Sequence, residues 1–254
     1  MELNLRQKQI LATIRAESEV QIDHLAEKFD VTTQTIRRDV NHLCEQGLAR
    51  RVHGGVSLPA SMTNTSYRYR SEVESNAKGS LTAKIAESIP DGATIMIGIG
   101  TTLAHLAQHL LSKASLRVIT NNLQVAQILE ANENIEIFLA GGQFRREHQD
   151  IMGSSSVNFF DSFEADIGIC GCAAVTDSHF VMEHESIEAD ITKAIIRNSR
   201  KQWLVADASK WGRFAAMKVC PLNQFDKIFT NNSYLPAEFP VEMATASDKT
   251  SEDG

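Results

Sequence analysis

Thr32-Thr33-Gln34-Thr35-Ile36-Arg37-Arg38-Asp39-Val40-Asn41-His42-Leu43 reads as a short amphipathic helix. Ile36, Val40 and Leu43 fall at i, i+4 and i+7, the spacing of a single buried helical face. Thr32 stands where a hydroxyl can accept from the free amides of a first turn. Gly47 stands where a left-handed residue ends a helix. The opposite face carries Gln34, Arg37, Arg38 and Asn41, with Thr33 beside them. Arginine matches the edge of guanine, and glutamine or asparagine that of adenine, so such a face can read bases.

Upstream, Leu3, Ile10, Leu11 and Ile14 mark a first helix over about 3–16, and Ile22, Leu25, Ala26 and Phe29 mark a short second one. Two short helices joined at Asp30-Val31, the second presenting base-reading side chains, form a helix-turn-helix pattern. Downstream, Leu48-Ala49-Arg50-Arg51-Val52-His53-Gly54-Gly55-Val56 predicts a small hairpin around a glycine pair, that is, a wing. Arg50, Arg51 and His53 would lie there along DNA phosphates or in a minor groove, supplying affinity more than sequence reading. An Arg-Arg pair alone is more often a solvated face; helix, turn, polar-basic helix and basic wing in this order point to DNA. Asp39 reads as an ion-pair partner for a nearby arginine, and Cys44 as a small packed residue.

The stretch Thr32–Val40, followed by Gly47-Leu48 and Arg51-Val52-His53-Gly54-Gly55-Val56, resembles the signature of the deoxyribose-operon-repressor (DeoR) family. The resemblance implies a bacterial regulator with an N-terminal winged helix-turn-helix and a C-terminal sugar-phosphate sensor domain. It also implies repression.

Charge distribution agrees. Residues 1–57 carry eight Lys+Arg and eight Asp+Glu, whereas residues 58–254 carry 17 against 24, so the net charge of −7 lies in the larger part. Apolar residues at 43% and charged residues at 22% match a globular chain able to bury a core, which excludes a wholly disordered one. The longest apolar run, around Thr94–Ile99, is far shorter than the roughly 18 residues of a membrane helix. The first residues lack the apolar block of a signal peptide. Four cysteines without a C-x-x-C spacing predict free thiols in a reducing compartment, hence a cytoplasmic protein.

The expected organisation is a winged helix-turn-helix over 1–57, a Ser/Thr-rich linker over 58–75, a sensor domain over 76–243 and a disordered tail over 244–254. Tyr67-Arg68-Tyr69-Arg70 interrupts the linker and could grip DNA, though packing on one of the domains is the favoured reading. Beyond it, short apolar strands at Ala93–Ile99, Leu116–Ile119, Ile135–Ala140, Asp166–Cys170, Gln202–Ala206 and Lys227–Thr230 alternate with helical segments. That alternation predicts an α/β domain with a mostly parallel sheet covered on both faces.

Ligands of such sheets sit outside the carboxyl ends of the strands. Four clusters follow strands here: Gly98-Ile99-Gly100-Thr101-Thr102, Thr120-Asn121-Asn122, Gly141-Gly142-Gln143-Phe144-Arg145-Arg146, and Asp207-Ala208-Ser209-Lys210. The first two lie at predicted helix starts, where the dipole and free amides favour anions. Each cluster alone is more often a turn or a cap. Together they suit a small phosphorylated polyol, with Gly100, Thr101, Thr102, Asn121, Asn122, Gly141, Gly142, Arg145, Asp207 and Lys210 as candidate contacts.

This half, too, resembles the DeoR sensor domain, itself similar to ribose-phosphate isomerases and CoA transferases. The matching stretches are Ile99–Thr102, Thr120–Leu123, Leu139–Gly142, Ala165–Gly168 and Asp207–Lys210. Overall likeness is greatest to the branch that governs glycerol 3-phosphate genes. The resemblance implies Thr101, Thr102 and Asn121 as phosphate or polyol contacts and Lys210 as an anion partner. Gly98 stands where the family has an acidic residue, the stretch Gly171–His179 lacks expected glycines, and Asp190 and Thr192 replace a more basic pattern.

The expected function is therefore an operator-binding repressor of a sugar or polyol operon, released by a phosphorylated effector and working as a dimer or tetramer. No cofactor, metal or membrane partner is expected. The alternative is an isomerase-like enzyme fused to a DNA-binding head. It needs a carboxylate base beside a cation, for which Asp166, Glu183, Glu185, Asp207 and Lys210 are candidates. His105 and His109, and Glu183-His184-Glu185, lack the further ligands of a specific zinc motif and read as ordinary surface groups. Cys170-Gly171-Cys172 reads as packing.

Overall fold

Ile10, Leu11 and Ile14 of α1 (Leu5–Glu17), Leu25 and Ala26 of α2 (Ile22–Lys28), and Ile36, Val40 and Leu43 of α3 (Thr33–Glu45) bury one another. The structure is a computed structural model that describes residues 3–17, 19–46, 48–52, 54–57, 75–146, 148–232 and 238–243. Gly47, His53, the segment 58–74 with Tyr67–Arg70, and the tail 244–254 lie outside the described residues. The chain divides into two units, one within residues 1–69 and one within 70–254.

In the first unit Thr32 caps α3, its hydroxyl accepting from the Thr35 amide at 3.3 Å. Asp39 is buried at the contact of α3 with α1, where Arg6 Nε donates at 2.6 Å and Gln7 Nε2 at 3.1 Å. The arginine partner expected for Asp39 is thus Arg6. The wing has three strands rather than two. β1 (Glu19–Gln21) pairs antiparallel with β3 (Gly55–Ser57), which pairs in turn with β2 (Arg50–Val52). Gly55 permits this, because a Cβ there would stand 2.6 Å from the Val20 carbonyl oxygen.

In the second unit the core strands are buried on both faces, which makes the sheet parallel and helix-covered. β4 (Thr94–Ile97), β5 (Leu116–Thr120), β6 (Ile135–Leu139), β9 (Ala165–Cys170), β12 (Ser199–Val205), β14 (Lys227–Thr230) and β15 (Val241–Met243) form one sheet in the order β15-β14-β12-β9-β4-β5-β6. Every pairing in it is parallel. Ile95, Ile97, Val118, Ile167, Ile169, Trp203 and Val205 point to the face covered by α4 (Ser75–Ser88), α5 (Thr101–Leu110) and α6 (Leu123–Leu129). Met96, Ile119, Cys170, Leu204 and Ile228 point to the other, covered by α7 (Ser154–Asp161) and α8 (Ser186–Arg197).

Two smaller sheets were not expected from the sequence. A hairpin of β7 (Gln143–Arg145) and β8 (Asp150–Met152) follows β6. An antiparallel sheet of β10 (Ala174–Val175), β11 (Phe180–Glu183) and β13 (Met217–Pro221) contributes Val175, Val181 and Cys220 to the α8 side of the core. Among the described residues no helix is long and apolar enough to cross a membrane.

Candidate nucleic-acid interface and effector pocket

On the first two turns of α3, Gln34, Arg37 and Arg38 are exposed and make no hydrogen bond or ion pair among the described residues, and Thr33 is half-buried. Asn41 differs, because its Oδ1 accepts from Arg51 Nη2 and so ties the helix to the wing. Arg50 Nε donates to Ser57 Oγ at 2.9 Å across the wing. The exposed surface thus holds three free base-reading side chains and two arginines already oriented by neighbours. His53, expected among the phosphate contacts, lies outside the described residues.

In the second unit, β4, β5, β6 and β12 run parallel, so all four polar clusters stand at the same edge of the sheet. The chain steps from β4 to β5 and β6 in one direction, and from β9 through β12 in the other. The carboxyl ends of β4 and β9 therefore flank the reversal point, where an open α/β sheet places its ligand crevice. Gly100 precedes α5 at φ 118°, a conformation that only glycine adopts without strain, and thereby presents the α5 amides to that crevice. Thr101 is buried and Thr102 half-buried.

The Asn pair serves the protein more than the crevice. Asn122 is fully buried; its Oδ1 accepts from the Gln124 and Val125 amides at 3.1 and 3.3 Å, capping α6. Its Nδ2 donates to the Gly98 and Gly100 carbonyls at 3.4 and 3.3 Å. Asn122→Ala is expected to lower unfolding stability by about 1–2 kcal/mol, the loss of a cap plus buried partners, read by chemical denaturation. An unchanged transition would return Asn122 to the role of a ligand contact. Asn121 is also fully buried and donates to the Ile151 carbonyl at 2.9 Å, while its Oδ1 is buried without a partner among the described residues.

Arg145 is not free to meet an anion. It binds Asp150 through two bonds, Nε–Oδ1 at 2.9 Å and Nη2–Oδ2 at 2.7 Å, and its Nη1 reaches Glu188 at 2.9 Å and Glu185 at 3.3 Å. Side-chain exposure is 17% for Arg145, 0% for Asp150 and 4% for Glu188. Burial works against the guanidinium charge, but Asp150 and Glu188 more than offset it and hold its pKa above the usual value. The group locks the β7–β8 hairpin to the start of α8. Gly141 and Gly142 are exposed, the Gly141 carbonyl accepting from Ser155 and Ser156 at 3.1 and 3.4 Å.

At the end of β12, Asp207 accepts from the Ser209 amide at 2.9 Å and opens a short 3₁₀ turn, leaving Lys210 half-buried as the cation of the cluster. The Lys210 charge acts on Glu183, which closes β11. Burial first, then repulsion from Glu188, pushes the Glu183 carboxyl up to about 8, with Lys210 and a 3.3 Å bond from Thr192 Oγ1 opposing. Burial likewise raises the Cys170 and Cys172 thiols, and all four cysteines are free.

The departures at Gly98 and Thr192 now have surroundings. A Cβ at Gly98 would stand 3.3 Å from Ile195 Cδ1, so an acidic side chain would press on α8. Thr192 is buried against Glu183, whereas Asp190 is exposed. His105 is half-buried, with Nε2 buried and unpartnered among the described residues. No cluster of three or more metal-ligating side chains occurs among them. An open depression of about 400 Å³, lined by Asp91, Asp166, Arg200 and Trp203, lies at the amino edge of the sheet, opposite the four clusters.

A family model of the DeoR C terminal sensor domain matches residues 73–232, and one of the DeoR-like helix-turn-helix domain matches residues 6–62. The glycerol-3-phosphate regulon repressor of Escherichia coli (strain K12) is 38% identical over 231 residues, covering 91% of this chain and 92% of that protein. The HTH-type transcriptional repressor CsqR of the same organism is 38% identical over 228 residues, covering 90% and 87%. A solved ribose 5-phosphate isomerase A from Methanocaldococcus jannaschii aligns with 54% of this chain and 55% of its own at 16% identity and a TM-score of 0.40. With both halves matched in order and the relatives spanned almost end to end, the chain belongs to the DeoR family of transcriptional regulators.

Proposed function

We propose that this chain is a transcriptional repressor that binds operator DNA through α3 and its wing, and releases it on binding a phosphorylated sugar or polyol. The observation that carries the reading is the free, exposed row Gln34, Arg37 and Arg38 on the first two turns of a capped helix. These reach base edges, while Thr33, Asn41, Arg50, Arg51 and His53 hold the backbone around them. The relatives named as repressors, one of them of a glycerol-3-phosphate regulon, support glycerol 3-phosphate as the effector.

In the crevice, the α5 amides with Thr101 and Thr102 take the phosphate, and Asn121, the Gly141-Gly142 loop and Lys210 border the carbon skeleton. Asn122, Arg145 and Asp207 support these groups through the bonds they already make. One reading head contacts too few bases for operator specificity, so a dimer or tetramer on repeated half-sites is the working form. It acts in the cytoplasm, where thiols stay reduced.

For an enzymatic reading, three of the four candidate carboxylates are placed elsewhere or already engaged, Glu183 being the exception. Asp166 stands at the amino edge of the sheet, accepting from the Thr94 amide at 3.0 Å, and Glu185 is exposed beside Arg145. Asp207 is engaged in its cap.

Fluorescence anisotropy on DNA upstream of the chain's own operon, at one fixed salt concentration, tests the reading. Tight binding reversed by glycerol 3-phosphate is the expected result; absence of binding to any upstream fragment overturns it. Thr101→Val is expected to keep operator binding and lose release, with the effector coupling of about 1–3 kcal/mol abolished. Normal release in that variant moves the phosphate site elsewhere.

A further inference from the structure

Glu183 and Glu188 are two buried carboxyls in one electrostatic neighbourhood, but their partners differ. Glu188 has the Arg145 guanidinium at 2.9 Å. Glu183 has a hydroxyl, Thr192 Oγ1, at 3.3 Å and no salt bridge among the described residues. The groups facing it are Glu188 and Thr192 on α8, Lys210 after β12, Cys170 and Cys172 at the end of β9, and the Ala173 amide; Lys210, Thr192 and the Ala173 amide favour the charged form, and burial with Glu188 outweighs them. Removing a carboxyl from water without a paired cation favours its neutral form, which carries an O–H donor. The electrostatic reach of Lys210 after β12, and of Ala173, Cys170 and Cys172 at and after the end of β9, puts that donor on the crevice side of the sheet.

We propose that Glu183 is a specificity-determining residue of the effector pocket, a protonated carboxyl that donates its O–H to a hydroxyl or carbonyl oxygen of the phosphorylated ligand. The inference rests on the effector reading above and adds to it the end of the ligand opposite the phosphate. A ligand offering an oxygen there satisfies a buried donor; one offering a methyl group leaves it unpaired, which is a strong basis for discrimination. Binding also couples to pH. A phosphate dianion brought into the crevice makes ionisation of Glu183 harder still, so the complex keeps the proton that the free protein gives up in alkali.

The sign follows from linkage. The free carboxyl, raised from its ordinary value to about 8, is protonated at pH 7 and mostly ionised at pH 9. Binding above pH 8 must therefore take up a proton, and affinity falls roughly tenfold between pH 7 and pH 9. The second ionisation of a phosphomonoester, near 6, is nearly complete by pH 7 and does not contribute in this window.

The test is isothermal titration calorimetry of the full chain with glycerol 3-phosphate at pH 7, 8 and 9, in two buffers of different ionisation enthalpy. We expect the Kd to rise about tenfold across the range, with uptake of about half a proton at pH 8. Glu183→Gln, which keeps a neutral donor, is expected to show a flat Kd over the same range. A pH-independent Kd with no proton uptake in the natural chain overturns the inference and leaves the effector reading standing. An unchanged slope in Glu183→Gln also overturns it, and the proton count remains decisive should that variant not fold. Failure to bind at pH 7 removes glycerol 3-phosphate as effector, and with it the inference.

Discussion

Arg145→Ala is expected to destabilise the second unit by about 3–5 kcal/mol, because it leaves Asp150 and Glu188 buried without their cation. The guanidinium satisfies both Asp150 oxygens at 2.9 and 2.7 Å and one Glu188 oxygen at 2.9 Å. Urea denaturation followed by tryptophan fluorescence reads the loss, since both tryptophans, Trp203 and Trp211, pack in the second unit. Adding Asp150→Asn and Glu188→Gln to the variant removes both stranded charges and should recover a large part of the stability. A single-variant loss under about 1 kcal/mol contradicts the account, because that is the range of a solvated surface pair.

Arg38→Ala is expected to weaken operator binding by about 1–3 kcal/mol, some five- to 150-fold, and to relax preference at one base pair. Arg38 is exposed and has no partner among the described residues, so its removal breaks no hydrogen bond or ion pair among them and the loss falls on the complex. Arg51→Ala should behave differently. It removes a phosphate contact and the bond to Asn41, weakening binding across all sequences and flattening the salt dependence by about one unit of slope. Binding titrations on an operator and a scrambled duplex at several salt concentrations separate the two. An Arg38→Ala variant with unchanged base preference makes Arg38 a backbone contact.

The elements legible in sequence are those whose pattern is local. α3 carries its cap, its apolar spacing and its polar face within a dozen residues. The main strands announce themselves as apolar runs because both faces are buried. β1 is three residues long, with Val20 buried, and exists because Gly55 lets another strand come close. β10, β11 and β13 are short, and their register is broken at Val181/Met182, so no period emerges.

The candidate crevice was legible in the same measure. Its four clusters follow strands whose common direction is inferable, and the sheet brings them to one edge. What each side chain does there was not. Arg145 in isolation reads as an anion partner; its carboxylates come from five and 43 positions away, and only the hairpin on α8 joins them. Asn122 reads equally as cap or contact until its four bonds are seen. Glu183 reads as a possible base, and its neutral form depends on burial by an antiparallel sheet that no periodicity reveals.

The bonds Arg51–Asn41 and Arg50–Ser57 have a consequence for how fast and how firmly the head can dock. A long basic side chain loses about 0.5–1.5 kcal/mol of rotamer freedom when a complex immobilises it. Here that ordering already belongs to the folded wing, so less of it opposes association. The gain appears in the entropy of binding, not as an added contact in the complex. A wing rigid before it meets its partner also tolerates little variation in groove shape, so the same two bonds favour duplexes whose backbone geometry already fits.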